Sequence, residues 1–310
     1  MSSIKNYLSL VKFSHTIFAM PFAMIGFFLG IKYFNQFTGF FKPGWHTTIG
    51  MIPADFPKTY QEIIVRFILV VLCMMTARSA AMAFNRWLDK SFDAKNPRTA
   101  IREIPAGIIS ANSALLFVIF NCVAFIVLTW FINKICFFLS PVALFVILFY
   151  SYTKRFTPLC HLVLGLGLSL APIGAYLAVT GRFDLLPVLF SFAVLFWVGG
   201  FDIIYALQDI DFDQKQNLYS IPVMLGAKRA LRVSEILHFF SAALVIAAGF
   251  IAGFGLLYWI GICVFVGMLV YQHSIVKPND LRRVNIAFMT ANGIASVVFA
   301  VFVIADLYFK

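Results

Sequence analysis

Asn85-Arg86-Trp87-Leu88-Asp89-Lys90-Ser91-Phe92-Asp93 follows directly on a long apolar run and sets an amide and two carboxylates at four-residue spacing. Much later in the chain, Asp202-Ile203-Ile204-Tyr205-Ala206-Leu207-Gln208-Asp209-Ile210-Asp211-Phe212-Asp213 answers it. The chain holds 13 Asp and Glu in 310 residues, and six of them are the Asp residues of these two stretches. Carboxylates beside apolar sequence are costly, face a bundle interior and mark a functional path. The rest of the chain is read around that pair.

Apolar residues make up 62% of the chain and charged residues 12%, against about 25% charged in a soluble domain. The composition therefore implies an all-α membrane protein. A helical span needs roughly 20 apolar residues. Nine candidate spans follow: 8–34, 60–84, 112–132, 135–153, 159–180, 187–207, 232–254, 256–276 and 284–308. Residues 1–310 read as one transmembrane domain, with 35–58 as an extracytoplasmic loop insertion. Pro43, Gly44, Pro53, Pro57 and many aromatics suit a loop lying on the membrane surface. The five Cys show no metal spacing and read as small buried hydrophobes.

Orientation follows from the cations. With the N-terminus in the cytoplasm and the C-terminus outside, 16 of the 24 Lys and Arg fall on the inner side and seven on the outer, with Arg78 inside a span. The positive-inside rule favours that arrangement. Both acidic stretches then face the cytoplasm. The net charge of +11 is mostly this bias, so it argues for a lipid bilayer and not for nucleic acid. The expected location is a bacterial inner membrane, with the site facing the cytoplasm.

A residue four places on along a helix is rotated by about 40° and raised by about 6 Å. Asn85, Asp89 and Asp93 are expected on one face, with Arg78 seven residues earlier and deeper on the same stripe. Asp202, Tyr205, Asp209 and Asp213 form a second stripe, and Asp211 points away. Two opposed sets of oxygen ligands repel unless a cation sits between them. Oxygen ligands without paired His or Cys suit a hard ion, Mg²⁺ above all. Lys90, Arg98, Arg102, Lys154, Arg155 and Lys215 ring the acids, which describes a diphosphate site. Beside an apolar bundle, the substrate implied is a lipid diphosphate.

Three ordered motifs carry a resemblance. Asn85-x3-Asp89-x3-Asp93 with Arg98-Thr99-x2-Arg102-x2-Pro105-x-Gly107 resembles the first signature of the UbiA superfamily of intramembrane aromatic prenyltransferases. Asp202-x2-Tyr205-Ala206-x2-Asp209-x3-Asp213 is similar to the second. Tyr150-Ser151-Tyr152-Thr153-Lys154-Arg155-Phe156-Thr157-Pro158 resembles the segment before the fifth helix in the 4-hydroxybenzoate polyprenyltransferase branch. Two positions depart from the pattern: Arg86 stands where many members have Asp, and Glu103 where Pro is expected. Lys12-Phe13-Ser14-His15-Thr16-Ile17-Phe18-Ala19-Met20-Pro21 is similar to the opening of a branch that prenylates 1,4-dihydroxy-6-naphthoate for menaquinone.

The resemblance implies Mg²⁺-dependent transfer of a polyprenyl group from polyprenyl diphosphate to an aromatic carboxylic acid. The acceptor is 4-hydroxybenzoate in ubiquinone biosynthesis, or the naphthoate as alternative. Asn85, Asp89 and Asp93 are expected to hold one Mg²⁺, and Asp209 and Asp213 a second. Arg98, Arg102, Lys154 and Arg155 would stabilise the diphosphate as the allylic C–O bond breaks. Tyr205 or Asp202 would orient the acceptor ring, and Arg78 or Arg155 take its carboxylate. The rival class is a cation- or proton-coupled transporter, which requires acids near the bilayer midplane on broken helices. His15, His161, His238 and His273 read as packed or incidental residues, and His46 as a loop residue without a partner. Gly165-x-Gly167 reads as a helix-packing pair.

Overall fold

The computed structural model describes residues 4–11, 18–36 and 59–309, and among these it is helical with no named strand. The helices are α1 (Ile4–Leu10), α2 (Met20–Gln36), α3 (Tyr60–Leu88), α4 (Lys90–Lys95), α5 (Ala111–Trp130) and α6 (Lys134–Thr153). They continue as α7 (Cys160–Thr180), α8 (Leu185–Ala206), α9 (Ile210–Lys215), α10 (Ile221–Ala252), α11 (Leu256–Ile275) and α12 (Asn292–Phe309). Eight helical segments among the described residues are long and apolar enough to cross a membrane. The remaining candidate is α2, whose apolar stretch there is the shorter Met20–Lys32.

The expected spans reappear with shifted ends. The first was expected to start at residue 8, but α1 ends at Leu10 and α2 starts at Met20. Most of the 35–58 loop, residues 37–58, lies outside the described residues, as do His15 and His46. The span expected from 232 starts earlier, because Ser220 caps a helix at Ile221 by accepting the Val223 N–H at 3.2 Å. Gly226 interrupts that helix at φ 74°, a left-handed conformation that glycine adopts without steric cost.

Without a hydrophobic drive between helices in lipid, packing must come from close approach and shape. α7 and α8 pair along their length at the centre; α10 packs on α8, α2 on α7, α5 on α3, and α12 on α11. At Gly165 a Cβ would fall 2.4 Å from the Leu195 carbonyl oxygen, so α7 and α8 touch backbone to backbone there. The packing reading of Gly165 therefore holds, whereas Gly167 meets only Ile147 at 3.6 Å. The centre is filled by Trp197, fully buried, with Phe22 at 5.2 Å and Phe265 at 6.0 Å between ring centroids. Outward positions carry Phe120, Phe145, Phe239 and Phe250, all exposed, as a lipid-facing surface requires.

One polar knot sits inside this core. Asn292 Oδ1 accepts from Trp197 Nε1 at 3.0 Å and Gln272 Nε2 at 2.7 Å. Its Nδ2 donates to the Phe288 carbonyl at 3.0 Å. The knot holds a wide π turn, Ile286–Ala291, ahead of α12. That turn sets Phe288 against Tyr205, centroids 4.3 Å apart.

Candidate active site

The two acidic stretches meet at one end of the bundle, yet neither is a continuous helix. α3 stops at Leu88 and α4 restarts at Lys90, with Asp89 between them. α8 tightens into a 3₁₀ turn at Leu207–Asp209 before α9. Asp favours such helix ends because its side chain competes for backbone hydrogen bonds. Uninterrupted stripes were expected; what forms is a pair of kinked edges. These face each other across a pocket of about 310 Å³. Asn85, Asp89, Asp93, Asp202, Tyr205, Asp209 and Asp213 line it, as do Arg78, Arg98, Arg102, Lys154 and Arg155. Of the cations expected to ring the acids, Lys90 and Lys215 are not in its lining.

Its electrostatics are a set of matched pairs. Arg155 Nη2 donates to Asp89 Oδ1 at 2.8 Å, and Asn85 Nδ2 donates to Asp89 Oδ2 at 3.2 Å. Arg102 Nη1 reaches both Asp93 oxygens, at 2.8 and 2.9 Å. Across the pocket, Arg98 donates to Asp209 at 2.5 Å and to the Tyr205 hydroxyl at 2.9 Å. Lys154 Nζ lies 2.8 Å from Asp213 Oδ2. Burial raises the Asp89 carboxyl to about 6, outweighing the pull of Arg155 the other way. Burial lowers the Lys154 ammonium, but Asp213 more than reverses it, leaving it above the usual lysine range.

Asp202 stands apart from these pairs. Its Oδ2 is 2.7 Å from His161 Nδ1, and His161 Nε2 accepts the Ile221 N–H at 3.4 Å. The incidental reading of His161 is thus corrected: it is a buried partner of a pocket carboxylate. No local spacing could have shown this, since the two residues lie on different helices. His238 is likewise not incidental; its Nδ1 is 2.9 Å from His273 Nε2.

Arg78 lies deepest. Its Nε is buried without an acceptor. With Tyr150, Met82, Leu164 and Leu168 it also lines a second, apolar cavity of about 380 Å³ between α3, α5, α6 and α7. Polar pocket and apolar cavity therefore share a wall at Arg78 and Tyr150.

The donor set suits a hard cation. Asn85, Asp89 and Asp93 offer oxygens from one edge and Asp209 and Asp213 from the other. Asp213 buries Oδ1 without a hydrogen-bond donor. Among the described residues no three His, Cys, Asp or Glu converge as a ready-made metal cage. Mg²⁺ takes one or two carboxylates and fills its shell with water and substrate phosphate, so it does not require such a cage.

The sequence model of the UbiA prenyltransferase family matches residues 47–294. The chain belongs to the UbiA prenyltransferase family. It is therefore a prenyltransferase and, with its apolar helices, an integral membrane protein. The 4-hydroxybenzoate octaprenyltransferase of Tolumonas auensis is 30% identical over 223 residues, 72% of this chain and 78% of that one. That of Nitrosospira multiformis is 29% identical over 257 residues, covering 83% and 87%. The apo structure of a UbiA homolog from Aeropyrum pernix K1 superposes with a TM-score of 0.74 at 27% identity, covering 95% of this chain and 97% of that one. A UbiA homolog from Archaeoglobus fulgidus, bound to GPP and Mg²⁺, shares the fold with a TM-score of 0.69 at 18% identity, covering 97% and 99%. In this UbiA chain Asp89, Asp93, Asp209 and Asp213 stand beyond the ends of α3 and α8, and Asp202 in the last turns of α8.

Proposed function

We propose that the chain transfers a polyprenyl group from polyprenyl diphosphate to the ring of 4-hydroxybenzoate, for ubiquinone biosynthesis. One observation carries the reading: a polar pocket of paired acids and bases lies beside an apolar cavity, with Arg78 and Tyr150 in the lining of both. Diphosphate suits the first and an isoprenoid tail the second. The curated relatives named above are 4-hydroxybenzoate octaprenyltransferases, which favours that acceptor over 1,4-dihydroxy-6-naphthoate. The opening segment that resembles the naphthoate branch lies partly outside the described residues.

Asn85, Asp89 and Asp93 would hold one Mg²⁺, and Asp209 and Asp213 another. When bound, Mg²⁺ neutralises charge on the diphosphate as the allylic C–O bond breaks. Arg98, Arg102, Lys154 and Arg155 turn from their carboxylates to the phosphate oxygens. Arg78, with a free buried donor at the joint of the two cavities, takes the acceptor carboxylate. Asp202, held by His161, and Tyr205 orient the ring for attack by its carbon on the allylic carbon. Phe18, Phe201 and Phe288 wall the pocket and keep water from the carbocation.

The same reading takes 1–310 as one nine-span domain. Its N-terminus is cytoplasmic and its C-terminus external, and the site faces the cytoplasm of a bacterial inner membrane. The test is incubation of membranes holding the protein with Mg²⁺, a polyprenyl diphosphate and labelled 4-hydroxybenzoate. A lipid-extractable labelled product is expected. Product from the naphthoate alone would move the assignment to the menaquinone branch, and no product with either acid would overturn it.

A further inference from the structure

The two positions at which the chain departs from the UbiA pattern face one another. Arg86, in the last turn of α3, is 3% exposed, and Glu103, in the loop between α4 and α5, is 8% exposed. Arg86 Nη1 donates to Glu103 Oε2, and Ser9 Oγ of α1 donates to Oε1. Both carboxylate oxygens are thus engaged. Beside them Arg102 holds Asp93 by both oxygens, so two arginines and two carboxylates alternate in one cluster. Asp93 also acts electrostatically on Arg86.

A guanidinium keeps its charge when buried and needs a counter-ion there. Glu103 is that counter-ion. Without its charge, Asp93 is the carboxylate left for Arg86. An acid held by two arginines is a poor ligand for a cation. Glu103 also ties the loop carrying Arg98 and Arg102 to the helix carrying Asn85 and Arg86.

The geometry points to Glu103 as a positioning residue: by neutralising Arg86 it leaves Asp93 with Arg102 as its one basic partner, so that Asp93 can serve a divalent cation bound with the prenyl diphosphate. The inference rests on the Mg²⁺–prenyl diphosphate reading given above, and it assigns a use to the ion pair between Arg86 and Glu103.

The test compares the full-length unaltered protein, E103Q and the double variant R86Q/E103Q. Each is titrated with Mg²⁺ in the presence of geranyl thiolodiphosphate, an analogue that does not ionise readily, and binding is followed by thermal shift. E103Q is expected to raise the half-saturating Mg²⁺ concentration about tenfold, as loss of an outer-shell partner commonly does. The double variant, with Arg86 neutral, is expected to return it to the unaltered value. A purely structural pair would lower the melting temperature of E103Q and leave the Mg²⁺ dependence unchanged, which overturns the inference. A double variant as weakened as E103Q overturns it too. Should E103Q not fold, the double variant decides alone: unaltered half-saturation supports the inference and a weakened one sinks it. Parallel transfer assays keep the two readings apart. A protein that binds Mg²⁺ and analogue but prenylates no aromatic acid removes the proposed activity and leaves this inference standing.

Discussion

Asp89 and Asp209 sit on opposite edges of the pocket, each already held by an arginine, Arg155 at 2.8 Å and Arg98 at 2.5 Å. On the proposed reading, replacing either with Ala removes a Mg²⁺ ligand oxygen and frees a cation to compete for the phosphate. Asp89→Ala and Asp209→Ala are each expected to lower the rate of prenyl transfer by about a hundredfold or more, the scale of losing one preorganised electrostatic group. Labelled-product assays at saturating Mg²⁺ read this directly. Arg78 predicts a different split. Its buried Nε has no acceptor within the protein, so a ligand carboxylate would gain a charge-assisted bond of about 1.5–3 kcal/mol. Arg78→Ala should raise KM for the aromatic acid by roughly ten- to a hundredfold and leave KM for the prenyl diphosphate nearly unchanged. Equal increases in both would remove Arg78 from the acceptor site. At this scale the sequence was informative about chemistry and silent about partners. Scarce acids at fixed spacing picked out residues that share one pocket, but His161 beside Asp202 and Glu103 beside Arg86 are pairings across the fold. No local pattern encodes them.

Among the elements, α7 and α8 carry the tightest constraint. A side chain at Gly165 would have to displace the Leu195 backbone, since its Cβ alone would stand 2.4 Å from that oxygen. Gly165→Leu is expected to cost about 1–3 kcal/mol by overpacking, seen as a lower melting temperature in detergent. A wild-type melting curve would mean that α7 and α8 are not so close. Helix positions were legible because a span of roughly 20 apolar residues leaves little choice. Their ends were not. The restart at Asp89, the 3₁₀ turn at Leu207–Asp209 and the early start of α10 at Ile221 depend on caps and on what each end packs against. The expected face geometry of the acids consequently survived as a shared pocket, though not as two straight stripes.

Taken whole, the molecule sets a polar chamber beside an apolar one. Gly174 lines the apolar cavity and has open space where a side chain would stand. Gly174→Phe should fill that space: long-chain donors would show a raised KM, while geranyl diphosphate would be used as before. Competition between donors of different length, analysed by mass spectrometry, checks this, and an unchanged length preference would place the tail elsewhere. The two-chamber layout could not be read from residue order, because Phe125, Leu139 and Gly174 become neighbours only once α5, α6 and α7 are packed.

The paired acids have one more consequence. Asp89, Asp93, Asp209 and Asp213 each possess a basic partner within the chain. Under the proposed function, loading the site is a swap: carboxylates trade a side-chain cation for a metal, and the released side chains trade a carboxylate for a phosphate. A protein that lives by exchange has no need of its ions to stay folded. Chelation with EDTA should stop turnover yet leave the melting temperature close to that of the untreated protein, and re-adding Mg²⁺ should restore activity without a refolding lag.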